Sequence, residues 1–199
     1  MKKYSVIILG AGRPYRGEYP SSLIRTDGSH RVLDWIMEAF NSVLKAEIHF
    51  IGGYGLNEVI KNYPDLFFSV NPNWQSSGSL GSLFAATLAP DQTTYVCYSD
   101  VVFRNNVVKF LHKADHDVSI VVDREWRNRY QSRSQSDLDA AEKVFISNGR
   151  LKSIGTSLTL EQANAEFIGL LRLSPKAVKK IISLREKKFD SLIDKNIPF

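Results

Sequence analysis

The run Val6-Ile7-Ile8-Leu9, followed at once by Gly10-Ala11-Gly12-Arg13, constrains this chain more than any other stretch. Four successive apolar residues without polar alternation fit a central strand covered on both faces, as in a sheet flanked by helices. Gly10 and Gly12 allow the backbone to turn sharply and to come close to a ligand. Arg13, Arg16 and Arg25 then bring positive charge just beyond the strand's carboxyl end. The combination predicts an anion site there.

The rest of the chain supplies the other layers of such a fold. Leu33, Ile36, Met37, Phe40 and Leu44 recur at helical spacing and predict a helix over Arg31 to Lys45. Glu47 to Ile51 reads as a strand ending in Gly52-Gly53-Tyr54-Gly55, with a short helix from Leu56 to Asn62 stopped by Pro64. Leu66 to Val70 is a third strand, Asn71 to Ser82 a long polar loop, and Ser82 to Leu88 a helix. Thr94 to Tyr98 is a strand running into Ser99-Asp100, Asn105 to Ala114 a helix, and Asp117 to Val122 a buried strand ending in Asp123. The basic and aromatic segment Arg124 to Arg133 breaks this alternation and reads as an excursion over the active face. Glu142 to Ser147 and Arg150 to Gly155 flank Asn148-Gly149, the strongest short hairpin signal, so an antiparallel ribbon is inserted here. Phe167 to Leu173 returns to the sheet, and Ser174-Pro175 opens a last helix as N-cap and first-turn proline.

Composition narrows the class. With 199 residues and 43% hydrophobic content, the chain can bury one substantial core, and one domain over 1–199 is expected. A net charge of +5 suits anionic ligands, but the basic residues form no recognisable nucleic-acid module, so no nucleic-acid partner is expected. No apolar stretch approaches the ~20 residues of a membrane span, and the amino terminus enters a strand without a signal-like apolar region, so a soluble, cytoplasmic protein without a membrane partner is expected. The single cysteine, Cys97, lies in an apolar run and reads as core in a reducing compartment. The four histidines have no metal-site spacing.

Three chemistries compete for the first loop. A Walker A loop is excluded because no Gly-Lys-Ser or Gly-Lys-Thr follows the glycines. A dinucleotide fingerprint fits poorly: Tyr15 stands where the third glycine belongs, and no acidic residue ends the second strand. The third is nucleotidyl transfer, whose support is a resemblance to a known family, and beside all three stands the plain alternative of a tight strand-to-helix turn. Asp100, at the carboxyl end of a strand, suits either a Mg²⁺ ligand or a cap for the next helix, and the spacing alone leaves both open.

Leu9-Gly10-Ala11-Gly12-Arg13, with Pro20, Leu23 and Val32-Leu33, resembles the signature loop of nucleotidyltransferases of the sugar-phosphate and phosphocholine type. The likeness continues through Gly52-Gly53-Tyr54, Asn71-Pro72-Asn73-Trp74, Ser82-Leu83, Tyr98-Ser99-Asp100, Asp123 with Trp126, Arg133, Glu142-Lys143 and Glu166-Phe167-Ile168-Gly169, and looks like the cytidylyltransferases acting on phosphocholine and phosphonates. It implies a three-layer, Rossmann-like (GT-A-like) α/β fold with a mixed, mostly parallel sheet, and transfer of CMP from CTP to a small phosphorylated or phosphonate acceptor with Mg²⁺ as cofactor. Sugar-1-phosphate nucleotidyl transfer with another base, and a nucleotide-binding pseudoenzyme with a regulatory or assembly role, are the alternatives. By the same resemblance, Leu9 to Arg13 hold the triphosphate, and Gly53, Tyr54 and Ser82 meet the base. Asp100 binds nucleotide and metal. Asp123, Trp126, Arg133, Glu142 and Glu166 build the acceptor pocket, and Lys143 bridges phosphates and acceptor, acting with Arg13 and Arg133 in catalysis. Arg124, Arg127 and Arg129 read as a solvated face. The chain departs from the family at Ser21, where a lysine is usual and where Arg16 or Arg25 is the expected substitute, and at its end, where a further acidic metal ligand is usual and Glu166 or Asp123 is the expected stand-in. Monomer and homodimer are both left open.

Overall fold

The computed structural model describes residues 4–14 and 17–193. Strand β1 (Tyr4–Gly10) pairs in parallel with β2 (Ala46–Gly52) on one side and β4 (Thr93–Tyr98) on the other, and β3 (Phe67–Val70) extends the sheet beyond β2. The connections are helical: α1 (Val32–Asn41), α2 (Leu56–Asn62) and α3 (Gly78–Ala85), with α4 (Asn105–Lys113) following β4. Beyond β4 the sheet turns antiparallel through β8 (Ala165–Leu173), which pairs with β4, with β5 (Val118–Asp123) and with β6 (Lys143–Ser147), itself hairpinned to β7 (Arg150–Gly155). Short helices α5 (Trp126–Arg129) and α6 (Gln135–Ala140) lie between β5 and β6, and α7 (Pro175–Ile193) closes the chain's described part.

The uninterrupted apolar run of β1 follows from the two-sided core. Val6 and Ile8 face a cluster with Leu33, Ile36 and Phe40 of α1, Val59 of α2 and Val108 of α4, whereas Ile7 and Leu9 face a cluster with Leu83 of α3 and Ala177 and Val178 of α7. All four are buried, each side chain contributing about 1.5–3 kcal/mol by its removal from water. Three layers result, helix on sheet on helix.

A strand has two edges, and β8 uses both. β5 takes residues 166–173 on one edge, so β4, at 170–173, and β6, at 165–166, must share the other. Between them the register shifts, around Gly169 at φ +74°, and the side chain of Tyr98 lies across that glycine, where a Cβ would stand 2.2 Å from Cδ2 of Tyr98. Sharing an edge thus brings the start of β6 against the end of β4.

Most boundaries follow the sequence, including the hairpin, whose Asn148 and Gly149 have φ of 52° and 70° as a type I′ turn requires. The last helix begins as expected, Ala177 N donating to Ser174 Oγ at 3.2 Å. Two elements differ. The helix expected from Ser82 to Leu88 runs instead from Gly78 to Ala85, because Gly81 lets its first turn pack directly on Ser77. The strand expected to be buried from Asp117 is β5, half-buried to exposed throughout, because only β8 pairs with it. Among the described residues, no helix is long and apolar enough to cross a membrane.

Candidate active site

Parallel pairing aligns the carboxyl ends of β1, β2 and β4, and backbone hydrogen bonds tie the loops that leave them. Ser99 N donates to Leu9 O at 3.2 Å, Tyr54 N to Ala11 O at 2.9 Å, and Asn71 N to Gly52 O at 2.8 Å. The two glycines of the first loop do different work. A Cβ on Gly10 would enter the Phe50 ring, 2.1 Å from Cζ, so Gly10 is a packing glycine; Gly12 has nothing within 4 Å of that position and presents its main chain to solvent. Ala11 between them is buried, Arg13 is exposed and its guanidinium sits 5.5 Å from the centroid of the Tyr54 ring. Arg16 lies outside the described residues. Arg25 does not reach the loop: its Nη1 donates to the carbonyls of Gly28 and Ser29, closing its own turn.

Gly53 and Tyr54 stand beside this loop. Tyr54 Oη donates to Glu18 O at 2.8 Å, and its ring meets Trp74 edge to face at 5.7 Å between centroids. Ser82, by contrast, is buried; its Oγ accepts from Asn71 Nδ2 at 3.0 Å and donates to Gly78 O at 3.3 Å. Its hydroxyl is turned into the protein, so Ser82 offers a base its small size and main chain and no free hydroxyl.

Asp100 follows β4 at the same edge of the sheet. Part of its side chain reaches solvent, yet the protein packed around it pushes its carboxyl above the ordinary carboxylate range. It is not the cap of the next helix, whose N-cap is Arg104. Opposite it, Tyr98 Oη lies 2.9 and 3.1 Å from the two carboxylate oxygens of Glu142, the contact that the shared edge of β8 makes possible. Burial raises the Glu142 carboxyl, the negative charges of Glu166 and Asp100 add to this, and the Tyr98 hydroxyl opposes it. Burial, above all, and Glu142 hold the Tyr98 phenol in its protonated form. Glu142 therefore feels the charges of Glu166 and Asp100 across the end of the sheet, although no group of three metal-ligating side chains is close enough, among the described residues, to hold an ion alone.

The excursion after β5 brings further groups to this side. Tyr130 donates to Glu166 Oε1, and Arg133 lies over the Tyr130 ring at 4.5 Å. Asp123 pairs with Arg129, and Arg127 donates to the carbonyls of Leu160 and Ala163, so neither arginine belongs to an idle solvated face. Trp126 is only 1% exposed and packs with Ala141 and Ala163, a small core that shapes the excursion and leaves the indole no surface for an acceptor. Lys143 also departs from expectation. It is 3% exposed, and its Nζ donates to the carbonyls of Leu138, Asp139 and Ala141 at 3.0, 3.1 and 3.3 Å, closing the end of α6. A lysine committed to three carbonyls is not extended toward phosphates. Sequence reasoning gives no role to Tyr98, although it lies in the motif Tyr98-Ser99-Asp100, or to Tyr130, which stands among arginines. Two cavities among the described residues lie elsewhere: about 510 Å³ between Trp35 of α1 and residues 102–105, and about 220 Å³ of wholly apolar space under α7.

Two outcomes check this geometry. Lys143→Met should lower stability by about 1–3 kcal/mol in urea denaturation, because three carbonyls lose their donor; unchanged stability with collapsed turnover would restore the bridging role. For Glu142, the folded state keeps a proton that the unfolded chain releases above its ordinary value of 4.5, so its contribution falls as pH rises from there toward the raised folded value. Glu142→Gln should therefore gain melting temperature relative to the parent as pH rises above 4.5. A pH-independent difference would contradict it.

Comparison with known proteins agrees with the architecture. No protein-family model matches the chain. Its sequence is 26% identical over 198 residues to the CTP:phosphoglutamine cytidylyltransferase of Campylobacter jejuni, covering 92% of this chain and 78% of that protein. Among solved structures, the inositol-1-phosphate CTP transferase of T. maritima superposes with a TM-score of 0.66 at 18% identity, over 94% of this chain and 74% of that one. The CTP:phosphocholine cytidylyltransferase of Streptococcus pneumoniae gives 0.64 at 18% identity, over 98% and 82%. A glucose-1-phosphate thymidylyltransferase of Bacillus anthracis gives 0.66 at 14%, over 91% and 75%. The chain thus has the nucleotidyltransferase fold, and in sequence it resembles a cytidylyltransferase of that family.

Proposed function

We propose that this protein is a cytidylyltransferase that joins CMP, from CTP, to a small phosphorylated or phosphonate acceptor and releases pyrophosphate. The observation that carries the proposal is the placement of an open glycine main chain at the end of β1 beside Asp100 at the end of the adjacent parallel strand β4. The sequence likeness to a CTP-using enzyme of phosphoglutamine supports the choice of nucleotide and of a phosphorylated acceptor.

The chemistry asks little of a base. An acceptor oxygen that is already anionic attacks the α phosphorus of CTP, its new P–O bond forms as the bond to the β-phosphate oxygen breaks, and pyrophosphate leaves with that electron pair. Positioning and charge neutralisation do most of the work. Main-chain groups from Gly10 to Gly12 cradle the triphosphate, and Arg13, exposed beside them, moves from the Tyr54 ring onto the departing phosphates. The turn at Ser21–Leu23 carries no cation, and among the described residues Arg13 is the arginine of this loop assigned to that task. Arg133 and Glu166, joined through Tyr130, and Glu142 face the acceptor. Asp123 and Trp126 support that side from behind.

Magnesium fits the residues present. Mg²⁺ is commonly held by one or two carboxylates together with substrate phosphates, so a lone Asp100 whose carboxyl is crowded by protein is a suitable partner. Bound by Asp100 and the triphosphate, the ion would neutralise the charge that develops on the phosphates. Glu142 and Glu166 are the nearest further carboxylates in electrostatic terms.

Pyrophosphate release, measured with each nucleoside triphosphate, Mg²⁺ and a panel of phosphomonoester and phosphonate acceptors, tests the proposal. CTP should be preferred, and Asp100→Asn should lower kcat by about 100-fold or more without lowering the melting temperature. No release with any pair, despite nucleotide binding, would leave a binding protein in place of an enzyme. Preference for another nucleotide with a sugar 1-phosphate would favour the chemistry of the thymidylyltransferase neighbour.

A further inference from the structure

Because the Ser82 hydroxyl is engaged within the protein, a side-chain surface for the base has to come from another residue. The hydroxyl is engaged by Asn71 and by the carbonyl of Gly78, and the residue is 5% exposed. Two described aromatic side chains stand beside the first loop; the Tyr54 ring carries the Arg13 guanidinium and its hydroxyl is tied to Glu18 O, which leaves the Trp74 indole as the surface to consider. A Cβ on Gly53 would lie 2.6 Å from Cγ of Trp74, 2.7 Å from its Cδ1 and 2.8 Å from Ala11 O. The absence of a side chain at Gly53 therefore lets the indole rest directly against the main chain that borders the phosphate loop. Trp74 remains half-buried, its edge set by Tyr54.

The indole is also held in place. Asn71 is buried, its Nδ2 donates to Ser77 Oγ at 2.9 Å as well as to Ser82, its Oδ1 accepts from Asn73 N at 3.1 Å, and its own N–H donates to Gly52 O at 2.8 Å. The turn carrying Trp74 thus hangs from the end of β2 by one fully engaged asparagine. The other two tryptophans have other tasks: Trp126 fills the small core of the excursion, and Trp35 donates to Thr26 and packs on His30.

We propose that Trp74 is the platform on which the nucleotide's base stacks. This deepens the nucleotidyl-transfer reading and rests on it, because the triphosphate must lie on Gly10 to Arg13 for the base to reach the indole. Stacking on an aromatic face tolerates every base, so the platform supplies affinity and orientation, and discrimination among bases falls to the main chain around Gly53 and Ala11. Gly53 is required here for contact with the indole.

Calorimetric titration of the parent protein, Trp74→Leu and Trp74→Phe with CTP and with inorganic tripolyphosphate tests the platform, and pyrophosphate release is measured alongside. Trp74→Leu should weaken CTP binding by about 10-fold or more, Trp74→Phe by much less, and both should bind tripolyphosphate as the parent does. Equal affinity of the parent and Trp74→Leu for CTP, or an equal loss of CTP and tripolyphosphate, would overturn the platform while leaving transfer intact where turnover persists. CTP binding that depends on Trp74, without pyrophosphate release from any acceptor, would support the platform and overturn the transferase reading. A parent protein that binds no CTP would overturn both.

Discussion

The burial of β1 on both faces is the constraint from which the rest follows. A strand that must present Val6 and Ile8 to one cluster and Ile7 and Leu9 to another cannot lie at an edge or face water. It needs a strand on each side and a helix layer above and below. Supplying those by parallel crossovers brings the carboxyl ends of β1, β2 and β4 to one rim, and a rim with several loop origins is where open α/β sheets bind their ligands. The position of the site is thus a consequence of how the core closes.

A second constraint acts at the same rim. Asp100 and Glu142 have carboxyls raised by burial, and Asp100 and Glu166 press further on Glu142. Negative charges gathered in partly dry surroundings lower the stability of the fold near neutral pH, and proteins keep such arrangements where function needs them. In the proposed reading Asp100 takes the divalent cation and triphosphate and Glu142 and Glu166 the acceptor side, with Tyr98 between them holding Glu142 beside Gly169. The register of β8 against β5 shifts at this same level, so the electrostatics of the site sit beside an irregularity of the sheet.

Much of the fold could be read from local pattern, because β1, α1, β2, α2, β4 and the Asn148-Gly149 hairpin each announce themselves within a few residues. Side-chain direction is another matter. Lys143 and Ser82 belong to motifs that point to phosphate and base, yet Lys143 closes the end of α6 and Ser82 anchors the turn before α3; both outcomes depend on carbonyls or amides several residues away that no spacing rule links to them. Arg127 and Arg129 were hidden by composition, since a charge run reads as solvated until its partners Leu160, Ala163 and Asp123 are folded beside it. Gly10 and Gly12 looked alike in sequence, and only the position of Phe50 separates the packing glycine from the open one. The site was legible as a set of loops, and its individual contacts were not.

In the proposed reading the nucleotide binds at the rim of the parallel strands and not in the cavity between α1 and residues 102–105. Amide ¹H–¹⁵N spectra of the protein titrated with CTP test it most directly. The account predicts the largest changes at Gly12, Arg13, Gly53 and Tyr54. Changes centred on Trp35, Phe103 and Asn105, or no saturable change at the strand ends, would contradict it.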